Sequence, residues 1–300
     1  MAATPDLPVI SKPPLPVLQK GHKLAQGLCG AWLFTESGAV TTNASGKVYT
    51  IYDYSGYQNS GSTITGASAV AAQWVGSPGG MAMNCVYTPG ATNECRVEIP
   101  SNSKTLNLNS VILTGQFSFS MWLRIASNYV SGYAYLLSFP AYQLSGNLEP
   151  FTFRLNSTSN LEMTTTGAGA TITNGAWTTF PSGSVPNWFH ATVVVDTKGG
   201  KVYIYYNGKL VQQGTITGTW SEGTLNTMAA CIGGSGSAIN NRGWTGYIDS
   251  VLMWQRALGA DDVRMLFLDQ YAMFRQPSIL RTAAAAITGK GSTLLMMGVG

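Results

Sequence analysis

The chain has 300 residues, a net charge of +4 and only 10% charged residues. So weak a charge excludes an electrostatically driven nucleic-acid binder, and 45% hydrophobic residues exclude a disordered chain. The 35 glycines, with many Ser, Thr, Tyr and Trp, fit short strands joined by turns.

Residues 1–21 read as an extended arm, because Pro5, Pro8, Pro13, Pro14 and Pro16 fix the backbone away from helix. This start has no cationic segment leading into an apolar run, so no signal peptide is expected. No apolar run approaches ~18 residues, so no membrane span is expected either. A first strand is predicted across Leu28 to Leu33, with Gly30 marking close backbone packing. Residues 51–62, "IYDYSGYQNSGS", follow as a polar, turn-rich loop. "MAMNCVYTPGATNECRVEI" reads as two strands around a turn at Pro89-Gly90. Residues 116–126 alternate strictly: Phe117, Phe119, Met121 and Leu123 share one face, while Ser118, Ser120 and Trp122 share the other. "AYLLSF", "PFTFRLN" and "NLEMTTTG" are further strands. Residues 187–214 contain a strand "HATVVVD", an alternating "KVYIYYN" and a returning "LVQQG", the last two joined by Asn207-Gly208, a tight-turn signal. "MAACIGGSG" and "GWTGYIDSVLMWQ" supply the last strands. One helix is predicted within 259–272, with Val263, Leu266, Phe267 and Tyr271 as its apolar stripe and Asp261 and Asp262 in its first turn. Many short strands with one late helix predict an all-β sandwich over residues 22–272, and the apolar tail 273–300 reads as a second arm.

The ordered set "GLCGAWLF", "YDYSGYQNSGS", "FSFSMWLRI", "NWFHATVVVDTKGGKVYIYYNGKLV" and "GYIDSVLMWQRALGADDVRMLF" resembles the concanavalin A-like jelly roll of laminin G type. That resemblance implies the fold; it leaves function open among lectins, adhesion modules, glycosidases and structural domains. The ending "LDQYAMFRQPSILR" is similar to that of laminin G-like proteins encoded by tailed bacteriophages.

The resemblance also implies a structural calcium site, because in that family a loop aspartate and the late Gly-x-Ile-Asp aspartate often lie close. Here these are Asp53 and Asp249, with carbonyls of the Tyr54–Gln58 loop completing the oxygen set. The alternative for Asp249 is a turn cap or an acceptor of backbone N–H bonds. No paired acids suit glycoside hydrolysis: Glu94 and Glu98, the best pair, would stand about 13 Å apart on a strand at ~3.3 Å per residue. His190 reads as a packing residue, since no nucleophile elbow accompanies it. Cys85 and Cys95 could close a hairpin disulfide, but buried thiols are the plainer reading. Tyr129, Tyr133, Tyr135, Trp177 and Trp220 could stack on sugars, and the loop holding Asn240, Asn241 and Trp244 is the leading glycan or interface candidate. The arms offer docking residues at Pro13, Pro14, Met273, Phe274, Arg275, Ile279, Leu280, Leu294 and Leu295.

The expectation is therefore a non-enzymatic, homo-oligomeric protein on a virion exterior. It would be a capsid decoration protein bound to a major capsid protein or other virion proteins, with no nucleic-acid or membrane partner. The alternative is a host-recognition protein binding a surface glycan.

Overall fold

A computed structural model of the chain describes residues 11–14, 16–35, 40–43, 46–64, 73–77, 79–85, 96–100, 106–126, 134–139, 151–155, 161–164, 188–216, 228–234 and 243–274. In chain order the strands are β1 (Leu28–Trp32), β2 (Val40–Asn43), β3 (Gly46–Ile51), β4 (Gly61–Ile64), β5 (Gln73–Ser77), β6 (Gly80–Cys85) and β7 (Arg96–Pro100). Helix α1 (Leu108–Leu113) leads into β8 (Gln116–Ile125), β9 (Ala134–Phe139), β10 (Phe151–Leu155) and β11 (Leu161–Thr164). Then come β12 (Phe189–Asp196), β13 (Lys201–Tyr206), β14 (Lys209–Thr215), β15 (Met228–Ile232), β16 (Gly246–Trp254) and helix α2 (Ala260–Leu268).

Among the described residues these strands form two antiparallel sheets. The first runs β14-β13-β12-β8-β16-β6-β5, with β1 added against β16; the second runs β11-β10-β9-β15-β7-β4-β3-β2. The predicted alternation of β8 is the hinge of the packing. Phe117, Phe119, Met121 and Leu123 face the second sheet, and Phe119 meets Phe139 and Phe151 at centroid distances of 5.3 and 5.4 Å. Ser118, Ser120 and Trp122 take the opposite face, and they too are buried, because that face is covered. A second apolar layer of Leu24, Leu28, Leu33, Leu252, Trp254, Val263, Leu266 and Tyr271 closes over it beneath α2. This is the sandwich the sequence pattern predicts.

Two readings change. The segments flanking Pro89-Gly90 are strands, but they do not pair: β6 joins the first sheet and β7 the second. The turn itself lies outside the described residues. Strands β2 to β5 and helix α1 were not read from the sequence; β5 has no clean burial alternation to announce it.

Close backbone packing at Gly30 is real, since a Cβ there would lie 2.3 Å from the Trp32 ring. The Asn207-Gly208 turn has φ of 48° and 73°, the paired positive values of a type I′ hairpin. Asn207 also binds the start of β12 from both sides: its Oδ1 accepts from His190 N at 2.8 Å and its N donates to His190 O at 2.8 Å. Asn207→Ala replaces a residue that tolerates positive φ with one that does not, and deletes the hydrogen bond to His190 N. A loss of about 1–3 kcal/mol is expected in chemical denaturation. Asn207→Gly should recover the conformational part.

Candidate functional site

Asp249 lies where β16 changes partners. On one edge β16 follows β8 throughout; on the other it pairs with β6 over Gly246–Ile248 and with β1 over Val251–Trp254. The β8 register slips between Ile248 and Ser250, so Asp249 is the extra residue of a bulge. Bulging lets Ile248 and Val251, three residues apart, face the same core. The carboxylate is 3% exposed. Its Oδ1 accepts from Ser77 Oγ at 2.5 Å and meets Lys12 Nζ at 3.1 Å, and its Oδ2 accepts from Gln270 Nε2 at 3.2 Å and from the Tyr271 hydroxyl. Lys12 Nζ also donates to the Asp249 carbonyl at 2.7 Å and to the Met81 carbonyl. Burial and the Asp249 charge both push the Tyr271 hydroxyl well above its ordinary pKa, so it stays a donor.

Asp53 makes a separate site. It bridges to Trp32, its Oδ1 accepts from Ala31 N and Ser55 N, each at 2.8 Å, and its Oδ2 accepts from Ser55 Oγ at 2.8 Å and Asn59 N at 2.9 Å. Burial raises its pKa against the pull of these hydrogen bonds. The calcium expectation does not fit these residues. Asp53 and Asp249 share no partner, and all four carboxylate oxygens are filled by N–H, O–H or ammonium donors, where a calcium shell needs lone pairs aimed at the ion. Among the described residues no three His, Cys, Asp or Glu gather as a metal set. Asp249 is a structural tie between the N-terminal segment, β5, β16 and the chain after α2.

His190 is fully buried; Nε2 lies 2.7 Å from Ser120 Oγ, and its ring packs against Trp122 and Phe267. Burial lowers its pKa to about 3, so it is neutral near pH 7. Trp122 and Phe267 stack on each other at 5.9 Å beside the His190 ring. Glu98 pairs with Arg96 at 2.7 Å and Glu162 with Arg154 at 3.4 Å; Glu94 lies outside the described residues.

Trp244 is corrected: it is fully buried in the inter-sheet core and offers no ring to a ligand. Tyr135 is buried as well. Asn240, Asn241, Tyr129, Tyr133, Trp177 and Trp220 lie outside the described residues, as does Cys95; Cys85 is buried. The docking arms are corrected where described. Met273 and Phe274 are buried in the chain's own apolar layer, Gln19 N donates to Met273 O at 2.8 Å, and Lys12 N donates to Gly79 O at 2.6 Å. Pro13 and Pro14 follow directly from that anchored lysine. Arg275, Ile279, Leu280, Leu294 and Leu295 lie outside the described residues.

A different cluster occupies the outer face of the first sheet. Arg124 of β8 is opposite Tyr247 of β16 in the register, and its Cζ stands 4.1 Å from the Tyr247 ring centroid and 5.8 Å from that of Trp188. Trp188 and Tyr247 are 6.2 Å apart, tilted at 53°. Val75, Ala82, Trp122 and Phe267 form the surround. Trp122 lies on the face of β8 that its alternation predicts, and Trp188 directly precedes β12. The available signal for the cluster was Arg124, a charge two residues beyond Trp122 on an otherwise apolar strand.

A family model described as the concanavalin A-like lectin/glucanases superfamily matches residues 100–264. No curated protein matches the chain in sequence. Among solved structures, Trypanosoma rangeli sialidase in complex with 2,3-difluoro-KDN is similar at TM-score 0.56 and 16% identity, covering 84% of this chain and 34% of the sialidase. The same sialidase in complex with sialic acid gives TM-score 0.55 at 16% identity, over 84% and 34% of the two chains. The binding domain of botulinum neurotoxin DC in complex with SialylT gives 0.52 at 15% identity, over 82% and 52%. The chain thus spans about a third of the sialidases and half of the toxin chain. These likenesses establish the lectin/glucanase-like fold. They overturn the expectation of a protein without enzymatic activity, because sialidases carry the same fold; at such identities they also establish no activity here.

Proposed function

The chain belongs to the concanavalin A-like lectin/glucanase superfamily, and from that premise we propose that it is a carbohydrate-binding β-sandwich. The observation that carries the reading is the Arg124–Trp188–Tyr247 cluster, where a guanidinium and two conjugated rings meet on one sheet face. The part-exposed Tyr247 ring takes the C–H side of a pyranose and the guanidinium fork donates to its oxygens, while Trp188, 8% exposed, backs the pair. Tyr247 stands on β16 and Trp188 directly precedes β12, so both are held without further ordering on binding. That solved structures of this fold include complexes with sialic acid and SialylT supports the same reading.

A capsid decoration role presumes arms free to reach a shell. Lys12, Met273 and Phe274 are instead packed on their own sandwich, which removes the support for that reading from the described residues.

The test is a glycan array followed by calorimetry on the hits. Tyr247→Ala and Trp188→Ala are each expected to weaken binding at least tenfold, with far-UV circular dichroism unchanged. An array without hits, or hits that both variants bind as well as the parent, would sink the reading.

A further inference from the structure

We infer that the outer face of the first sheet selects an anionic sugar, with Arg124 pairing to a carboxylate or sulfate carried on the ring. The inference rests on the glycan-binding reading above and adds the ligand's charge.

Its basis is an uncompensated charge on a part-buried side chain. Among the described residues the other part-buried arginines, Arg96, Arg154 and Arg256, each meet a carboxylate. Arg124 meets none; its contacts are the two ring faces. Its Nε is buried with no hydrogen-bond acceptor. Two residues along the same face, Trp122 Nε1 is buried without an acceptor as well. Opposite these residues in the register stand Tyr247, Ser250 and His190, none of them an anion. Among the described residues the patch therefore carries a positive charge and has no anion of its own to neutralise it. The residue as a whole is part-exposed, so the terminal fork of the guanidinium stays within reach of a ligand.

Rings beneath the guanidinium hold its plane in place and weaken its hydration, which favours a planar, two-pronged partner. A carboxylate or a sulfate accepts two parallel N–H bonds from such a fork. A neutral sugar would cover the patch and leave the charge unpaired, which is disfavoured. Tyr247, part-exposed, then supplies the apolar seat for the sugar body, and the anion fixes its orientation.

The experiment compares one oligosaccharide in neutral, glucuronate-terminated, sialylated and sulfated forms, measured by calorimetry at low and high salt. At least one acidic form is expected to bind tenfold or more tightly than the neutral parent, with the gap narrowing as salt rises. Carboxylate against sulfate is decided by which form gains. Arg124→Met should abolish the gap while weak binding of the neutral form remains. Arg124→Lys should keep part of it, as the charge survives and the fork does not. Equal binding of neutral and acidic forms, or a gap retained in Arg124→Met, overturns the inference and leaves the glycan-binding reading standing. Absence of binding to any glycan overturns both.

Discussion

Replacing Lys12 with Met is expected to lower the unfolding free energy by about 3–5 kcal/mol. Met keeps most of the aliphatic stem, so the loss reports the ammonium and not the packing. Lys12 and Asp249 side chains are each 5% exposed, and Nζ meets Asp249 Oδ1 at 3.1 Å. Removing the cation strands a carboxylate in a region water does not reach, and leaves the Asp249 and Met81 carbonyls each short of a donor. Asp249→Asn should cost a similar amount, because it leaves the ammonium unpaired and puts an amide N–H where a donor already points. The double variant should cost less than the two singles added, by at least 1 kcal/mol, since each single change has already broken the shared interaction. Urea unfolding of the four proteins measures the cycle. A loss below about 1 kcal/mol for Lys12→Met would mean that the N-terminal segment leaves the sheet in solution.

Lowering the pH from 7 to 4.5 is expected to cost about 3 kcal/mol through His190 alone. Burial sets its folded pKa to about 3, against an ordinary 6.5. Between these values the unfolded chain binds the proton and the folded chain does not. Stability is thus full above pH 6.5 and falls with acidification at about 1.4 kcal/mol per unit until the folded pKa is reached. Asp196, held below its ordinary value by its hydrogen bond from Gln116, loses its contribution only at lower pH. In Asp262 burial works upward, and the hydrogen bonds from Lys23 and Arg256 prevail, so it too adds its loss near pH 4 and below. Asp53 acts oppositely: its raised pKa makes the folded chain the tighter proton binder as pH falls. The difference between the parent and a His190→Gln variant over pH 7 to 4.5 therefore isolates the imidazole. His190→Gln keeps a polar contact for Ser120 and does not titrate, so it should lack the loss of about 1.4 kcal/mol per unit. A parallel slope in both proteins would mean that water reaches the ring.

The sandwich was legible wherever alternation spans a whole strand. β8 and β13 show it, and Phe117, Phe119, Met121, Leu123, Val202 and Ile204 face inward as alternation names. The Asn207-Gly208 turn was legible because its chemistry is local. β6 and β7 were misjoined for the converse reason: a Pro-Gly turn says that the chain reverses, and does not say whether it returns to the same sheet. Asp249 was legible as unusual and not as to its purpose, since Lys12 lies 237 positions away and nothing local links them. Trp244 misled because a tryptophan beside asparagines and glycine looks the same in sequence whether the chain turns it inward or outward. The Arg124 cluster draws on β8, β16 and the start of β12, and only the register brings those three together.

The hydrogen bond from Gln19 to Met273, at 2.8 Å, places the N-terminal segment and the chain after α2 side by side. The two short 3-10 turns that flank these points, at Lys23–Ala25 and Ala272–Phe274, touch each other. Among the described residues the N-terminal segment and the chain after α2 are thus clipped to each other as well as to the sandwich, so a force that peels one of them away must also break its hold on the other.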